Sequence, residues 1–176
     1  MIWEKTVNKK TYACAKCGRM VEEKKMRILD DKPICPTCLY GQTEPFALYP
    51  IGTVRNNAQR REGGFGTAGS TAISCIDLIP SQKPFMYKLE EEQFLTIVYY
   101  LHKARPVKSV FRRGLDGKKV GVFASRTPDR LSRIAIQEVT LVKIEGMTLY
   151  VEGLDAIHGS PVLDIKLGRK ALHNHA

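Results

Sequence analysis

The stretch IAIQEVTLVKIEGMTLYVEGLDA, residues 134–156, decides the fold class of this chain. Branched and aromatic side chains recur through both halves of the stretch, and a short turn at Gly146 separates the halves. Residues of this kind are enriched in β-strands, and a short turn between two such runs is typical of an antiparallel hairpin. Residues 161–167, PVLDIKL, continue the same pattern. This part of the chain is therefore predicted to be antiparallel β-sheet.

The same reasoning extends the sheet towards the N-terminus. The further predicted strands are FALYPIGTVRN (46–56), TAISCIDLI (71–79), EQFLTIVYYLHKA (92–104, after a short helical turn at 89–93) and KVGVFAS (119–125, after the Asp-Gly turn of LDGKK). Val122 and Phe123 are predicted to end a buried strand, and Ile134 to begin the next. No long amphipathic helix is evident, so we expect a mainly β protein with a single antiparallel barrel of six to eight strands.

A glycine-rich loop, GGFGTAG at residues 63–69, interrupts the predicted strands. It lacks the Gly-Lys-Ser/Thr of a phosphate-binding loop and does not lead into a helix, so it is not a dinucleotide fingerprint. It is predicted to be a mobile loop, of the kind that can close over a ligand.

Four of the five cysteines precede the predicted barrel. Cys14, Cys17, Cys35 and Cys38 are spaced C-x2-C-x17-C-x2-C, which is the spacing of a four-cysteine zinc site. Two disulfides are the alternative, but nothing in the sequence indicates an oxidising compartment. A structural zinc ribbon is therefore predicted, because four thiolates leave no open position for catalysis. Cys75, in an alternating strand, is predicted to be a buried free thiol.

Composition and charge restrict the function. The chain has 176 residues with 43% hydrophobic content, and its longest apolar run, about residues 94–101, is too short to span a membrane. No apolar leader is evident at the N-terminus, so we expect a soluble, cytoplasmic protein. The net charge is +10, and residues 103–133 hold ten Lys or Arg against two Asp. Aromatic residues, Phe111 and Phe123 among them, interleave with these cations, which favours nucleic-acid binding over a merely solvated surface.

Four stretches together resemble the TsaA/TrmO-like family: PIGTVRN (50–56), LEEEQFLTIVYYLHKA (89–104), GVFASRTPDR (121–130) and YVEGLDAIHGSPVLDIK (150–166). The resemblance covers about residues 46–168 and leaves the cysteine module outside. It implies a β-barrel methyltransferase that binds S-adenosylmethionine without a Rossmann fold. It further implies transfer of the methyl group to N6 of threonylcarbamoyladenosine beside the tRNA anticodon, by a homodimer with the cofactor near the subunit interface.

The resemblance also implies a cofactor pocket. The positions that match it are Leu101, His102, Arg126, Ile136, Glu152, Gly153, Leu154 and Asp155, with Gly64, Phe65 and Gly66 in the glycine loop. Arg126 can hold the cofactor carboxylate through a bidentate fork, and Asp155 can accept from an amine or a ribose hydroxyl. His102 is equally well explained as a barrel-rim histidine without a ligand. No catalytic base is evident.

The substrate side departs from the family pattern. Where the family turn reads Arg-Pro-Asn-Pro-Ile-Gly, residues 130–135 here read RLSRIA, so that Arg133 replaces a proline. The four predicted RNA-binding residues are Arg112, Arg113, Arg130 and Arg133, with Arg130 and Arg133 expected on phosphates. The predicted partner is tRNA.

Two other functions remain open at this point. One is a non-enzymatic zinc-containing RNA-binding or adaptor protein that kept the barrel but lost the acceptor site. The other, weaker because no recognition helix is evident, is a DNA-binding ribbon regulator. The ribbon itself is expected to dock on a partner or to contact RNA weakly. The predicted domains are a zinc-ribbon module (1–45), the β-barrel (46–170) and a tail (171–176).

Overall fold

A computed structural model describes residues 10–58, 72–103 and 106–169. These residues form two compact units. Residues 10–46, 106–113 and 118–131 belong to the first, which we call the ribbon unit. Residues 47–58, 72–103, 114–117 and 132–169 belong to the second, the barrel unit.

The barrel unit contains six strands in a closed antiparallel barrel. In chain order the strands are β5 (Gly52–Arg55), β6 (Ile73–Leu78), β7 (Phe94–Tyr100), β10 (Ile134–Glu145), β11 (Thr148–Glu152) and β12 (Pro161–Leu167). Their order around the barrel is β10-β11-β6-β5-β12-β7. Two 3₁₀ helices, Pro80–Met86 and Leu89–Glu91, connect β6 to β7. The predicted fold class, with its barrel and strand number, is thereby confirmed.

Strand β10 closes the barrel by changing partners halfway along its length. Residues 134–140 pair with β7, whereas residues 140–145 pair with β11, and Thr140 is opposite both Phe94 and Glu152. A register irregularity between Leu141 and Lys143 accompanies the change, as is common where a strand bends at a barrel corner. The first six residues of β10, 134–139, therefore extend past the end of β11.

The core consists of side chains that alternate along each strand. In β7, Leu95, Ile97 and Tyr99 are all 2% exposed or less, whereas the residues between them are partly exposed. Val54, Ile76, Leu149, Val151 and Val162 complete the centre of the barrel from the other strands. Each such aliphatic side chain contributes about 1.5–3 kcal/mol by its burial. The buried side chains of each strand together form the barrel interior.

Gly168 allows the chain to leave β12 directly against β7. A Cβ atom built there would lie 2.6 Å from the carbonyl carbon of Phe94 and 2.7 Å from its oxygen. We expect Gly168→Ala to lower the free energy of unfolding by about 3 kcal/mol, because backbone rather than a flexible side chain must move. Thermal and urea denaturation measure this. Gly121→Ala is the control, since its Cβ would meet an ordinary contact at 3.8 Å. Equal stability of the two variants would contradict the argument.

The ribbon unit is built from three small hairpins, one short α-helix and two 3₁₀ helices. Its strands are β1 (Thr11–Ala13), β2 (Met20–Glu22), β3 (Arg27–Leu29), β4 (Lys32–Ile34), β8 (Val110–Arg112) and β9 (Lys119–Gly121), and its helices are 3₁₀ helices at Glu23–Lys25 and Val122–Ala124 and α1 at Pro36–Tyr40. β1 pairs with β2, β3 with β4, and β8 with β9. The small core of this unit contains Cys14, Met26, Ile34 and Cys35.

Two predictions about residues 119–125 are wrong. Only residues 119–121 form a strand, and that strand pairs with β8 in the ribbon unit instead of entering the barrel. Val122 and Phe123 do not end a buried strand: they lie in a 3₁₀ helix, and Phe123 is 87% exposed. The physical reason is the short 3₁₀ turn, which breaks the strand alternation directly after Gly121.

The other strand predictions agree with the structure, although the strand predicted at 46–56 is confined to β5. The helical turn predicted before β7 is the 3₁₀ helix at 89–91. Cys75 is a free thiol, but it is partly exposed where burial was predicted. The glycine-rich loop and the predicted tail fall outside the described residues. Of the helices in the described ranges, none is long and apolar enough to cross a membrane.

Candidate functional sites: a four-cysteine cluster and a barrel rim

The four predicted metal ligands come together in the ribbon unit. The sulfur atoms of Cys14, Cys17, Cys35 and Cys38 all lie within 4.8 Å of one another. Cys14 and Cys17 flank the turn after β1, and Cys35 and Cys38 come from the start of α1. Gly18 has φ +71° and donates its N–H to the carbonyl of Cys14 at 2.8 Å, which closes the first turn.

The cluster has the dimensions of a tetrahedral metal site. Zinc–thiolate bonds of about 2.3 Å place sulfurs on the corners of a tetrahedron with edges of about 3.8 Å. The observed separation of the Cys17 and Cys35 sulfurs is 3.8 Å. All four cysteines are free thiols, so the two-disulfide alternative does not describe this module.

The thiols differ in how readily they ionise. Backbone N–H groups of Cys35 (3.3 Å) and Lys16 (3.4 Å) donate to the Cys14 sulfur. The first of these bonds contributes most, and together they lower the pKa of Cys14 to about 6. Hydrogen bonds with the Cys35 and Cys17 thiols, together with burial, raise the pKa of Cys38 to about 12. Four thiolates at this spacing repel one another, so a cation must accompany their full ionisation.

The turn between β3 and β4 holds a segment that follows β7 in sequence. The Asp30 N–H donates to the carbonyl of Val107 at 3.0 Å, and the Val107 N–H donates to Ile28 at 3.2 Å. The Asp30 carboxylate accepts from both the N–H (2.8 Å) and the hydroxyl (2.6 Å) of Ser109. The bond from the Ser109 hydroxyl contributes most, and the two bonds together lower the pKa of Asp30. Asp31 forms an ion pair with Lys108. The cysteine module and residues 107–109 are thus joined into one unit.

Both turn residues have left-handed backbone, with φ +49° at Asp30 and +63° at Asp31. We expect Asp30→Asn, which tolerates this backbone, to speed amide hydrogen exchange at Ser109 by about tenfold or more, because a charge-assisted hydrogen bond is lost. Asp31→Asn is the control, because the ion pair between Asp31 and Lys108 is exposed and contributes little to stability. Exchange that is equally fast in both variants would show that the Asp30 carboxylate does not hold the segment.

The barrel has one end at which the predicted cofactor residues gather. At this end, which we call the rim, β5, β7 and β11 finish while β6, β10 and β12 begin. The predicted residues there are Leu101 and His102 after β7, Ile136 near the start of β10, and Glu152, Gly153, Leu154 and Asp155 at the end of β11. Leu101 and Leu154 are buried, whereas Ile136 is 64% exposed. The structure thus brings seven separately predicted positions to one end of the barrel.

Two side chains that the sequence did not indicate hold the corner after β11. The Tyr99 hydroxyl, inside the barrel, donates to the carbonyl of Asp155 at 2.6 Å. The Asn56 amide donates to the carbonyl of Ala156 at 2.8 Å and to the Ser74 hydroxyl at 3.0 Å. Gly153 turns the chain at φ +85°. Tyr99 and Asn56 fall in the same alternating register as the buried residues of their strands, so pattern alone could not distinguish them from ordinary core residues.

His102 lies at the rim beside Ser160. Its Nδ1 is 3.5 Å from the hydroxyl of Ser160, which is 1% exposed. Burial, with a smaller contribution from Lys103, lowers the pKa of His102, so that the imidazole is neutral near pH 7. A neutral ring at this position does not repel a cationic ligand.

The other predicted residues belong to the ribbon unit, precede β10 in the barrel unit, or fall outside the described residues. Arg126 is exposed and belongs to the ribbon unit, as do Arg112 and Arg113. Arg133 belongs to the barrel unit, has φ +54°, and accepts the Leu101 N–H through its carbonyl at 2.8 Å. Gly64, Phe65 and Gly66 are outside the described residues.

Arg130 has a structural role that its sequence position did not indicate. Its guanidinium donates to the carbonyls of Thr127 (3.1 Å), Val122 (3.3 Å) and Ser125. These bonds organise the turn that follows β9. Phosphate contact by Arg130 and Arg133 stays a prediction.

The fold and the two sites define a class of small β-barrel protein with an added four-cysteine module. The chain belongs to the family described as the tRNA-methyltransferase O N-terminal domain (TrmO_N), whose model matches residues 60–168. The TrmO-like resemblance drawn from the sequence motifs is therefore confirmed.

Curated relatives fall into two groups. An S-adenosyl-L-methionine-binding protein of Archaeoglobus fulgidus is 32% identical over 124 residues, which cover 68% of this chain and 86% of that protein. A probable S-adenosyl-L-methionine-binding protein of Methanothermobacter thermautotrophicus is 37% identical over 125 residues, which cover 68% and 87%. The human tRNA (adenine(37)-N6)-methyltransferase is 40% identical over 81 residues, which are 44% of this chain and 18% of the human protein.

Solved structures agree with the family. TrmO from Pseudomonas aeruginosa matches with a TM-score of 0.55 and 25% identity, over 70% of this chain and 56% of that one. A second TrmO crystal structure matches with a TM-score of 0.57 and 26% identity. The chain thus spans about half of the solved relatives it matches, and less than a fifth of the human enzyme.

Proposed function

We propose that this protein is an S-adenosylmethionine-dependent methyltransferase that acts on tRNA. The observation that carries the proposal is the match, along most of their length, to archaeal proteins named for S-adenosyl-L-methionine binding. The name of the human relative adds tRNA adenine as the acceptor class. The target is N6 of an adenosine beside the anticodon, and specifically threonylcarbamoyladenosine.

The rim supplies what S-adenosylmethionine requires. Buried Leu101 and Leu154 offer apolar contact for adenine, and the backbone around Gly153 offers edge hydrogen bonds. The Asp155 carboxylate accepts from a ribose hydroxyl or an amine, while neutral His102 adds no positive charge beside a sulfonium. Ile136 and Glu152 complete the proposed cofactor contacts at the rim.

Four of the predicted cofactor residues are not among the seven at the rim. Arg126 pairs with the cofactor carboxylate, as the family resemblance implies, and Gly64, Phe65 and Gly66 close the loop side. The barrel acts as a homodimer, which light scattering on the purified protein tests.

The cofactor supplies an activated methyl group. Methyl transfer requires the nucleophilic nitrogen, the methyl carbon and the sulfur to be in line, so the chain acts chiefly by alignment. With the cofactor bound, a bond from the nitrogen to the methyl carbon would form as the bond from that carbon to the sulfur breaks, and the proton of the nitrogen would pass to solvent. The products are methylated tRNA and S-adenosylhomocysteine.

The four-cysteine cluster holds a structural Zn²⁺. The sulfur spacing of 3.8 Å supports this assignment, together with an all-thiolate donor set, which suits zinc. The ion stabilises the ribbon unit, whose own buried core is small.

Calorimetric titration of S-adenosylmethionine, followed by transfer of a radiolabelled methyl group to unmodified and threonylcarbamoylated tRNA, tests the proposal. Micromolar cofactor binding with label in tRNA is the expected result. Cofactor binding without transfer to either tRNA would overturn the enzymatic assignment and favour the RNA-adaptor alternative, which the altered turn at residues 130–135 motivates. Absence of cofactor binding would overturn the proposal altogether.

A further inference from the structure

Phe123 is a large apolar side chain that the ribbon unit presents to solvent. The ring is 87% exposed and lies at the centre of the 3₁₀ helix Val122–Ala124. An exposed phenylalanine gains nothing from folding, and a single one requires no explanation by itself. What distinguishes Phe123 is how firmly its backbone is held.

The carbonyls on both sides of Phe123 accept hydrogen bonds from arginines. Arg113 Nη1 donates to the Ala124 carbonyl at 3.0 Å, and Arg130 Nη2 donates to the Val122 carbonyl at 3.3 Å. The Ser125 hydroxyl also donates to Val122, at 2.8 Å, and the Val122 N–H donates to Ser109 at 3.0 Å. The turn that carries the ring is therefore already ordered, so that binding does not have to supply the cost of ordering it.

Two cations lie on one face of the adjoining hairpin. Arg112 in β8 is directly opposite Lys119 in β9, and both are exposed. Residues two apart in a strand share a face, so Val110, which is 47% exposed, lies on the same side as Arg112. Residues 110–123 thus combine positive charge, exposed apolar surface and one exposed aromatic ring.

We propose that this surface, which we call the Phe123 surface, binds single-stranded RNA, with Phe123 stacked on an unpaired base and Arg112 and Lys119 on the phosphates. Aromatic rings beside cations are how proteins hold single strands, because every base has a stacking face and every nucleotide a negative phosphate. The inference rests on the proposed function, since it states which surface of the chain receives the anticodon loop. It assigns to Phe123 a role that the family resemblance did not include.

Charge argues against a second copy of this chain as the occupant. A two-fold interface uses the same patch from both subunits, so it would bring Arg112 and Lys119 of one copy towards those of the other. Like charges placed together across an interface oppose association. An RNA strand instead offers the complementary charge.

The test is RNA binding measured by fluorescence anisotropy with a labelled 17-nucleotide anticodon stem-loop, using zinc-loaded full-length protein. Phe123→Ala is expected to weaken binding by about tenfold or more with an unchanged salt slope, because the ring carries no charge. Phe123→Tyr keeps the ring and should retain most of the affinity. Arg112→Gln with Lys119→Gln should weaken binding and reduce the salt slope by about 1.4.

Phe85→Ala is the matched control, because Phe85 is 79% exposed in a 3₁₀ helix of the barrel unit. Unchanged affinity in Phe123→Ala, or equal loss in Phe85→Ala, would overturn the inference. So would light scattering in which Phe123→Ala converts a dimer to a monomer, since the ring would then belong to a subunit contact. Circular dichroism confirms that each variant is folded.

Cofactor binding separates failure of this inference from failure of the proposed function. If the wild type methylates tRNA but Phe123→Ala leaves RNA affinity unchanged, only the surface is wrongly assigned. If the wild type fails to bind S-adenosylmethionine, the proposed function is wrong, and the anisotropy data still decide whether the Phe123 surface binds RNA.

Discussion

Replacing Cys38 with serine is expected to remove the metal from the ribbon unit and to unfold that unit while the barrel unit stays folded. A structural zinc site contributes about 10–16 kcal/mol of folding free energy, far more than the few buried apolar residues of this unit supply. Metal analysis should fall from one zinc per chain to none. Hydrogen exchange should become fast throughout residues 10–40.

The effect should spread within the ribbon unit to residues 107–121. These residues are held by the turn at Asp30, and Ser109 bonds both that carboxylate and the N–H of Val122. Loss of the metal should therefore release the turn that carries Phe123 and weaken RNA binding. Chelation of zinc from the wild type should have the same result.

Cys75→Ser is the matched control for the cysteine substitution. Cys75 is a free thiol in β6 of the barrel unit and is outside the four-cysteine cluster. This variant should keep one zinc per chain and unchanged exchange in residues 10–40. Full zinc content in Cys38→Ser would refute the four-cysteine site.

Gly153→Ala is expected to weaken S-adenosylmethionine binding by at least tenfold. Gly153 has φ +85°, a conformation that costs an alanine about 1–2 kcal/mol, so the corner at residues 152–155 must shift to relieve it. The shift would alter both the backbone proposed to face adenine and the position of Asp155. Calorimetric titration measures the affinity, and thermal denaturation measures the loss of stability.

Gly146→Ala provides the control, because strand β11 has a left-handed glycine beyond each end. Gly146 has φ +60° and lies in the turn at the barrel end opposite the rim. Its substitution should lower stability by a similar amount, about 1 kcal/mol, without changing cofactor affinity. Equal cofactor affinity in the two variants would place the cofactor away from the Gly153 corner.

Much of the barrel follows from local pattern, because a barrel strand has one face inside and one outside. The β-branched and aromatic residues of 92–104 predict a strand there, and the structure has β7 with Leu95, Ile97 and Tyr99 buried. The cysteine spacing similarly brings four sulfurs together, because each C-x-x-C turn positions two of them locally. The family resemblance assigned seven residues that the structure gathers at one rim, although their contact with a cofactor stays a prediction.

Residues 119–125 show where local pattern fails. Val120, Val122 and Phe123 have the composition of a buried strand, yet Phe123 is exposed and the strand ends at Gly121. A three-residue strand contains too little alternation to indicate its partner. The hairpin that β9 forms with β8 joins the ribbon unit through bonds between distant residues, such as the one that the Ser109 N–H donates to the Asp30 carboxylate, 79 positions away.

The sequence by itself determined the fold class, the four-cysteine module and the family, because these depend on periodicity, on short fixed spacings and on contiguous motifs. Only the tertiary structure decided that residues 106–113 and 118–131 belong with the ribbon unit, that Arg130 bonds its own loop, and that Tyr99 and Asn56 hold the rim corner. The physical reason is that the local sequence around a hydrogen-bonding side chain is the same whichever acceptor that side chain bonds. Which acceptor it reaches depends on residues that folding brings near it.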